Sequence, residues 1–271
     1  MLAIASVFAA SIAGAAPAPY EVFAIRYATI RNFKVAGLVK GADPSRRIDI
    51  AMMVWLIRGN GRNILVDSGF YRKSLFEHWD IVDYVRPDEA VRLAGVKPED
   101  VTDVIVTHAH WDHADGADLF PNAAIWLQKE EYRYYTTEAW EPGGKSGGVT
   151  KDDVAFFIHA HDAGRLHLAD GDQEIIAGVR VFIGGRHTYA SQYVAVAAKP
   201  GPIVIASDNV YLYENLDKHL PIAQTFDETS NLAAQEKMRT LVRDVRFIVP
   251  GHDPEVMTRF RKTAKNVVKI D

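Results

Sequence analysis

The stretch VIVTHAHWDH, residues 104–113, sets a strand-length apolar run directly before three histidines and an aspartate. A run such as Val104-Ile105-Val106 reads as a buried strand, so Thr107 and its successors fall in a loop at a sheet edge. His108 and His110 stand two positions apart and point to one side in extended backbone. Asp112 and His113 follow at the next turn. Crowding three imidazoles and a carboxylate into one buried place is costly unless something pairs with them. A divalent cation does so, because neutral imidazole nitrogen and ionised carboxylate both donate to it.

Three other apolar runs end in the same manner. Val181-Phe182-Ile183 leads to His187, Ile203-Val204-Ile205 leads to Asp208, and Phe247-Ile248-Val249 leads to His252. Four strands that each deliver ligands from one end would build a single cluster. Seven ligands are too many for one tetrahedral zinc and suit two ions that share a carboxylate. The chain has no cysteine. Disulfides, thiolate ligands and cysteine nucleophiles are therefore excluded together, and any metal is held by histidine and carboxylate.

Strand-length runs fall at 50–57, 64–67, 104–106, 124–127, 179–183, 193–198, 203–206 and 247–249, and helical patterns at 87–94, 128–135, 151–159 and 231–242. In the last helix Leu232, Met238, Leu241 and Val242 are expected to line the buried face. Strands mixed with helices in this way predict an α/β or α+β sandwich. The loop from Trp140 to Gly148 contains Gly-Lys-Ser, but a phosphate loop needs glycine where Ala139 stands. It is expected to be a flexible loop.

Residues 1–19 are apolar and small, uncharged, and end in Ala-Pro repeats. They resemble a secretion signal without its basic start, which predicts export to the periplasm or beyond, or a cytoplasmic protein if the run is not a signal. Residues 20–271 are expected to form one hydrolase domain. No stretch is suited to span a bilayer. At a formal net charge of −4, nucleic acid is not an expected partner, since its binders usually carry a basic face or stripe.

Taken in order, His108-x-His110-x-Asp112-His113, His187, Asp208 and His252 resemble the metallo-β-lactamase superfamily, with agreement from Ile50 to His252. The segment from Ile64 through Asp67 to Gly69 resembles the strand and turn before that motif, where the aspartate is structural. The resemblance implies an α/β (α+β) fold, an αβ/βα sandwich of two mixed sheets flanked by helices. It also implies two divalent ions, with zinc first and iron, cobalt or manganese as alternatives. One ion would sit on His108, His110 and His187, the other on Asp112, His113 and His252, with Asp208 bridging. A hydroxide shared by such ions attacks carbonyl or phosphoryl centres at neutral pH.

Tyr211, three residues after Asp208, resembles the N-acyl homoserine lactonases. There this phenol hydrogen-bonds the lactone carbonyl and the oxyanion formed from it. The implied activity is opening of an acyl lactone ring, the quorum-quenching reaction. Asp112 would carry a proton to the leaving group, and Trp111 and Tyr211 would contact substrate. Phosphotriesterase-like, β-lactamase-like and thioesterase chemistry are the alternatives on this scaffold. Candidates for the acyl wall are Met52, Trp55, Phe70, Tyr71, Trp79, Tyr84, Trp111 and Trp140, with Trp111 foremost. Residues 27–47 would form a loop that pairs subunits into a homodimer. One departure bears on substrate: many relatives read His-Thr-Pro-Gly-His at the third ligand, and this chain reads His187-Thr188-Tyr189-Ala190-Ser191-Gln192.

Overall fold

Strand β2 (Arg47–Gly59) buries both of its faces, and that arrangement sets the layers. Met52, Val54 and Leu56 enter one hydrophobic core, while Ala51, Met53, Trp55 and Ile57 enter a second. A strand buried on both faces reads as an unbroken apolar run rather than an alternation, as 50–57 does. β2 turns through Asn60-Gly61 into β3 (Arg62–Val66). Both turn residues have positive φ, +50° and +73°, the pair that lets a two-residue hairpin follow the strand twist.

The computed structural model describes residues 18–271. The signal-like run lies outside the described residues except for Ala18 and Pro19. The larger sheet has nine strands in the order β13-β14-β1-β2-β3-β5-β6-β7, with β4 paired on β1. Its members are β1 (Glu21–Lys34), β4 (Ile81–Val82), β5 (Asp103–Ile105), β6 (Ala124–Gln128), β7 (Leu166–Ala169), β13 (Arg261–Ala264) and β14 (Val267–Lys269), with β2 and β3. β3, β5, β6 and β7 are parallel to one another. The smaller sheet runs β12-β11-β10-β9-β8, from β8 (Gln173–Ile176), β9 (Val179–Ile183), β10 (Gln192–Ala198), β11 (Gly201–Ser207) and β12 (Ile248–Pro250).

The second core joins the two sheets, with Trp55 and Ile105 from one and Val181, Val194 and Ile205 from the other. The first core packs the nine-stranded sheet under helices α1 (Pro87–Leu93), α3 (Lys129–Thr136) and α4 (Lys151–Asp162). Short helices α2 (Trp111–Ala114), α5 (Tyr213–Asp217) and α7 (Val256–Arg259) lie in connections, and α6 (Glu228–Leu241) packs by Ala234 and Met238 into the second core. Among the described residues no helix is long and apolar enough to cross a membrane.

Every strand-length run expected from the sequence overlaps a strand, and the αβ/βα sandwich holds. One local expectation fails and another holds only in part. Residues 27–34 belong to strand β1 rather than to a loop. Its alternation is broken by register shifts at Arg26/Ala28 and Ile30/Phe33, and Asn32 has φ +56°, so period-2 reading misses it. In α6 Met238 is buried as expected and Leu241 and Val242 are partly buried against the second core, but the rest of the buried face is Asn231, Ala234 and Gln235, and Leu232 is only half-buried. Asn231 and Gln235 are amides, admitted to the interior by hydrogen bonds: Asn231 accepts from Ile222 N–H and donates to the Asn209 carbonyl.

Candidate metal centre

The seven residues singled out in the sequence converge at the strand ends between the two sheets. They form two groups, His108-His110-His187-Asp208 and Asp112-His113-His252. Within each group the donor atoms lie within 4.8 Å of one another. Each group draws on both sheets. His108, His110, Asp112 and His113 follow β5 of the larger sheet, while His187, Asp208 and His252 follow β9, β11 and β12 of the smaller. Two residues that precede ligands, Arg186 and Ser207, hold left-handed backbone at φ +52° and +47°. Each costs on the order of 1 kcal/mol or more, so the turns that aim His187 and Asp208 are strained.

Asp208 stands between the groups. Its Oδ2 lies 3.3 Å from His187 Nε2 and 3.7 Å from His108 Nε2. Its Oδ1 lies 3.0 Å from His252 Nε2 and 3.3 Å from His113 Nε2. Each oxygen thus faces one group. Asp112 Oδ2 lies 3.5 Å from His113 Nε2 and 3.7 Å from His252 Nε2.

Four of the five outward nitrogens are spoken for. His113 Nδ1 donates to Asp67 Oδ2 at 2.8 Å, His187 Nδ1 to the Gln224 carbonyl at 2.8 Å, and His252 Nδ1 to the Ala51 carbonyl at 3.1 Å. His108 Nδ1 meets the Thr107 hydroxyl at 3.0 Å. Their Nε2 atoms face inward, and His110 turns Nδ1 inward, 2.8 Å from His187 Nε2. Fixing the far nitrogen of each imidazole is how proteins prepare histidines for metals.

Charge and burial fit the same use. Burial, with His113 and His187 close by, pushes the His108 pKa well below its usual range. Burial and His187 lower that of His110 to about 3. Both rings are therefore neutral donors at physiological pH. Burial disfavours the Asp208 carboxylate, but His113 and His252 outweigh it and hold the group ionised. His113 Nε2 and Asp208 Oδ1 are buried without a hydrogen-bond partner although they face each other. Orphaned buried atoms of this kind are rare in a native interior, and divalent ions would satisfy both.

The centre opens into a cavity of about 210 Å³. Asp112, Asp208, His110 and His252 form its floor, and Tyr211 stands beside them. Burial, with Asp208 near, raises the Tyr211 pKa well above its usual range, so its hydroxyl stays a donor. Ile30, Phe33, Leu38, Ile50, Trp79 and Trp111 make an apolar wall. Trp79 stacks between Phe33 and Trp111, at ring distances of 5.5 and 6.2 Å. Of the expected wall residues Trp79 and Trp111 line the cavity, while Met52, Trp55 and Phe70 are core. Ile30 and Phe33 were missed because β1 was. The loop around Gly-Lys-Ser also reaches the site. Gly148 has φ +78°, and a Cβ there would stand 2.7 Å from His110 Cδ2.

Residues 53–252 match the metallo-β-lactamase superfamily. The chain belongs to the metallo-β-lactamase superfamily. Among similar superfamily members, an N-acyl homoserine lactonase of a Bacillus species is 27% identical over 227 residues, covering 78% of this chain and 85% of that one. The N-acyl homoserine lactonase AttM of Azorhizobium caulinodans is 30% identical over 198 residues, covering 68% and 71%. The solved structure of AidC, a dizinc quorum-quenching lactonase in complex with a product, shares the superfamily fold. It has a TM-score of 0.68 at 16% identity and covers 88% of this chain and 89% of its own. Lactonase relatives and a metallo-hydrolase fold support a metal-dependent hydrolase, and the histidine-aspartate groups imply divalent metals.

Proposed function

We propose that this chain opens the lactone ring of N-acyl homoserine lactones with two zinc ions. The observation that carries this reading is the cavity in which the Tyr211 phenol and an apolar aromatic wall meet both ligand groups. In this reading His108, His110 and His187 would hold one ion, Asp112, His113 and His252 would hold the other, and Asp208 lies within reach of both. Bound there, the ions supply a Lewis acid for the carbonyl and a water acidic enough to attack at neutral pH. Tyr211 donates to the lactone oxygen as charge develops on it. Asp112 would take the proton that the attacking water loses and pass it to the departing alkoxide as the acyl C–O bond breaks. Trp79, Trp111, Phe33 and Ile30 take the acyl chain and exclude water from it. The similarity to proteins named as lactonases supports the substrate class.

The test is proton release at fixed pH by zinc-loaded protein. N-acyl homoserine lactones of short and long chain would be offered beside a β-lactam and a phosphotriester. Turnover confined to the lactones is expected. Silence on lactones with turnover of another substrate would overturn the assignment. Export and homodimer formation belong to the same proposal; the mass of the mature chain tests the first and light scattering the second.

A further inference from the structure

Glu131 on α3 has no solvent exposure, and the chemistry above gives it no task. Its carboxylate accepts three hydrogen bonds from two loops. Oε1 takes the Ala109 N–H at 3.0 Å and the Thr188 hydroxyl at 2.6 Å, and Oε2 takes the Ala190 N–H at 2.7 Å. Ala109 lies between His108 and His110, and Thr188 directly follows His187. One loop leaves the larger sheet and the other leaves the smaller. One carboxylate therefore ties together the two backbones that carry three members of the first ligand group.

Burying a carboxylate is expensive, and an apolar side chain would fill the same space without that cost. The charge is tolerated because three donors converge on it. A second contact supports the same pairing: Tyr189 stacks on Tyr134 of α3, with ring centroids 4.1 Å apart and planes 7° from parallel. This accounts for the departure from Pro-Gly at 189–190. Tyr189 adds a stacking partner, and Ala190 still offers the N–H that Glu131 accepts.

We propose that Glu131 is the positioning residue of the first ligand group. It sets the spacing of His108 and His110 against His187 before an ion arrives, an inference that rests on the two-ion reading only in taking these histidines as ligands. Gln at this position keeps the size and turns one acceptor into a donor facing an N–H. Ala removes all three bonds.

The experiment titrates metal-free protein with Co²⁺, following heat and visible absorption, for the wild type, Glu131→Gln and Glu131→Ala. Expected is a loss of about 10- to 100-fold in affinity for one of two binding events in Glu131→Gln, with a changed absorption band for that event and the other event intact. Glu131→Ala should weaken the same event further; if that variant does not fold, Glu131→Gln decides. Thr188→Ala should weaken the same event less and add little when combined with Glu131→Gln. Equal weakening of both events, or a lower melting temperature with both affinities unchanged, would overturn the proposal. The readout is metal, so wild-type silence on lactones would sink the proposed activity and leave this inference standing.

Discussion

Asp67 holds His113 from behind: the buried imidazole donates from Nδ1 to Asp67 Oδ2 across 2.8 Å. The same carboxylate accepts from Thr107 N–H at 2.7 Å and from the Ser207 hydroxyl at 2.9 Å. In Asp67→Asn one of these donors would meet an N–H instead. Asparagine tolerates the left-handed backbone at this position, φ +58°, so the effect should be on the imidazole and not on the chain. The expected outcome is metal affinity lower by about 10- to 100-fold, measured by competition with a chelator. Unchanged affinity would show that Asp67 does not orient the ring.

Tyr211→Phe removes a hydroxyl and leaves the ring that packs 5.8 Å from His252. Two ions should still bind, while kcat on lactones falls by up to about 100-fold. His110→Ala should instead lose metal and activity together. Metal content measured beside rate separates the two. A Tyr211→Phe enzyme as fast as wild type would withdraw the phenol from the mechanism.

At Gly148 the positive φ and the 2.7 Å approach to His110 leave no room for a methyl group. Gly148→Ala should push the imidazole off its line to His187 or lift the loop whose Gly148 carbonyl accepts from Trp111 N–H at 2.8 Å. Either way activity should drop at least tenfold, about 1.4 kcal/mol, with the melting temperature of the metal-free protein little changed. A rate equal to wild type would mean that loop and ring adapt freely.

Asp153 sets a pH dependence of stability. It shares Arg72 with Asp118 and Asp115: Arg72 Nη1 lies 3.0 Å from Asp153 Oδ1, Nη2 lies 3.1 Å from Asp118 Oδ2, and Nη1 also contacts Asp115. One guanidinium cannot neutralise three carboxylates, and burial pushes the Asp153 pKa from 3.8 up to about 7. The folded state therefore binds more protons than the unfolded state between these values. The stability due to this group is complete below about pH 4 and is lost as pH rises through 7. Asp153→Asn should flatten that slope and raise the denaturant midpoint at pH 8. An unchanged slope would remove Asp153 as its source.

The seven candidate metal residues were legible because they all follow closely on one of four apolar runs, a pattern that survives without knowledge of which strand pairs with which. The groups that support them were not. Glu131 sits in the exposed-looking run Lys129-Glu130-Glu131, and nothing local tells which glutamate turns inward. The Gln224 and Ala51 carbonyls that orient His187 and His252 are backbone atoms, which carry no side-chain signal. β1 escaped because bulges break its alternation. The edge hairpin of β13 and β14 begins Arg261-Lys262-Thr263, a charged run that blunts a sheet edge and hides a strand from any search for apolar residues.

Because each ligand group takes members from both sheets, neither half of the sandwich owns a site. The first group spans His108 to Asp208 in the sequence, and the second spans Asp112 to His252. Donors spread so widely along the chain come together only when the two sheets have docked. An ion held there would therefore report docking of the two sheets, and a half-docked chain would offer it only part of its donors.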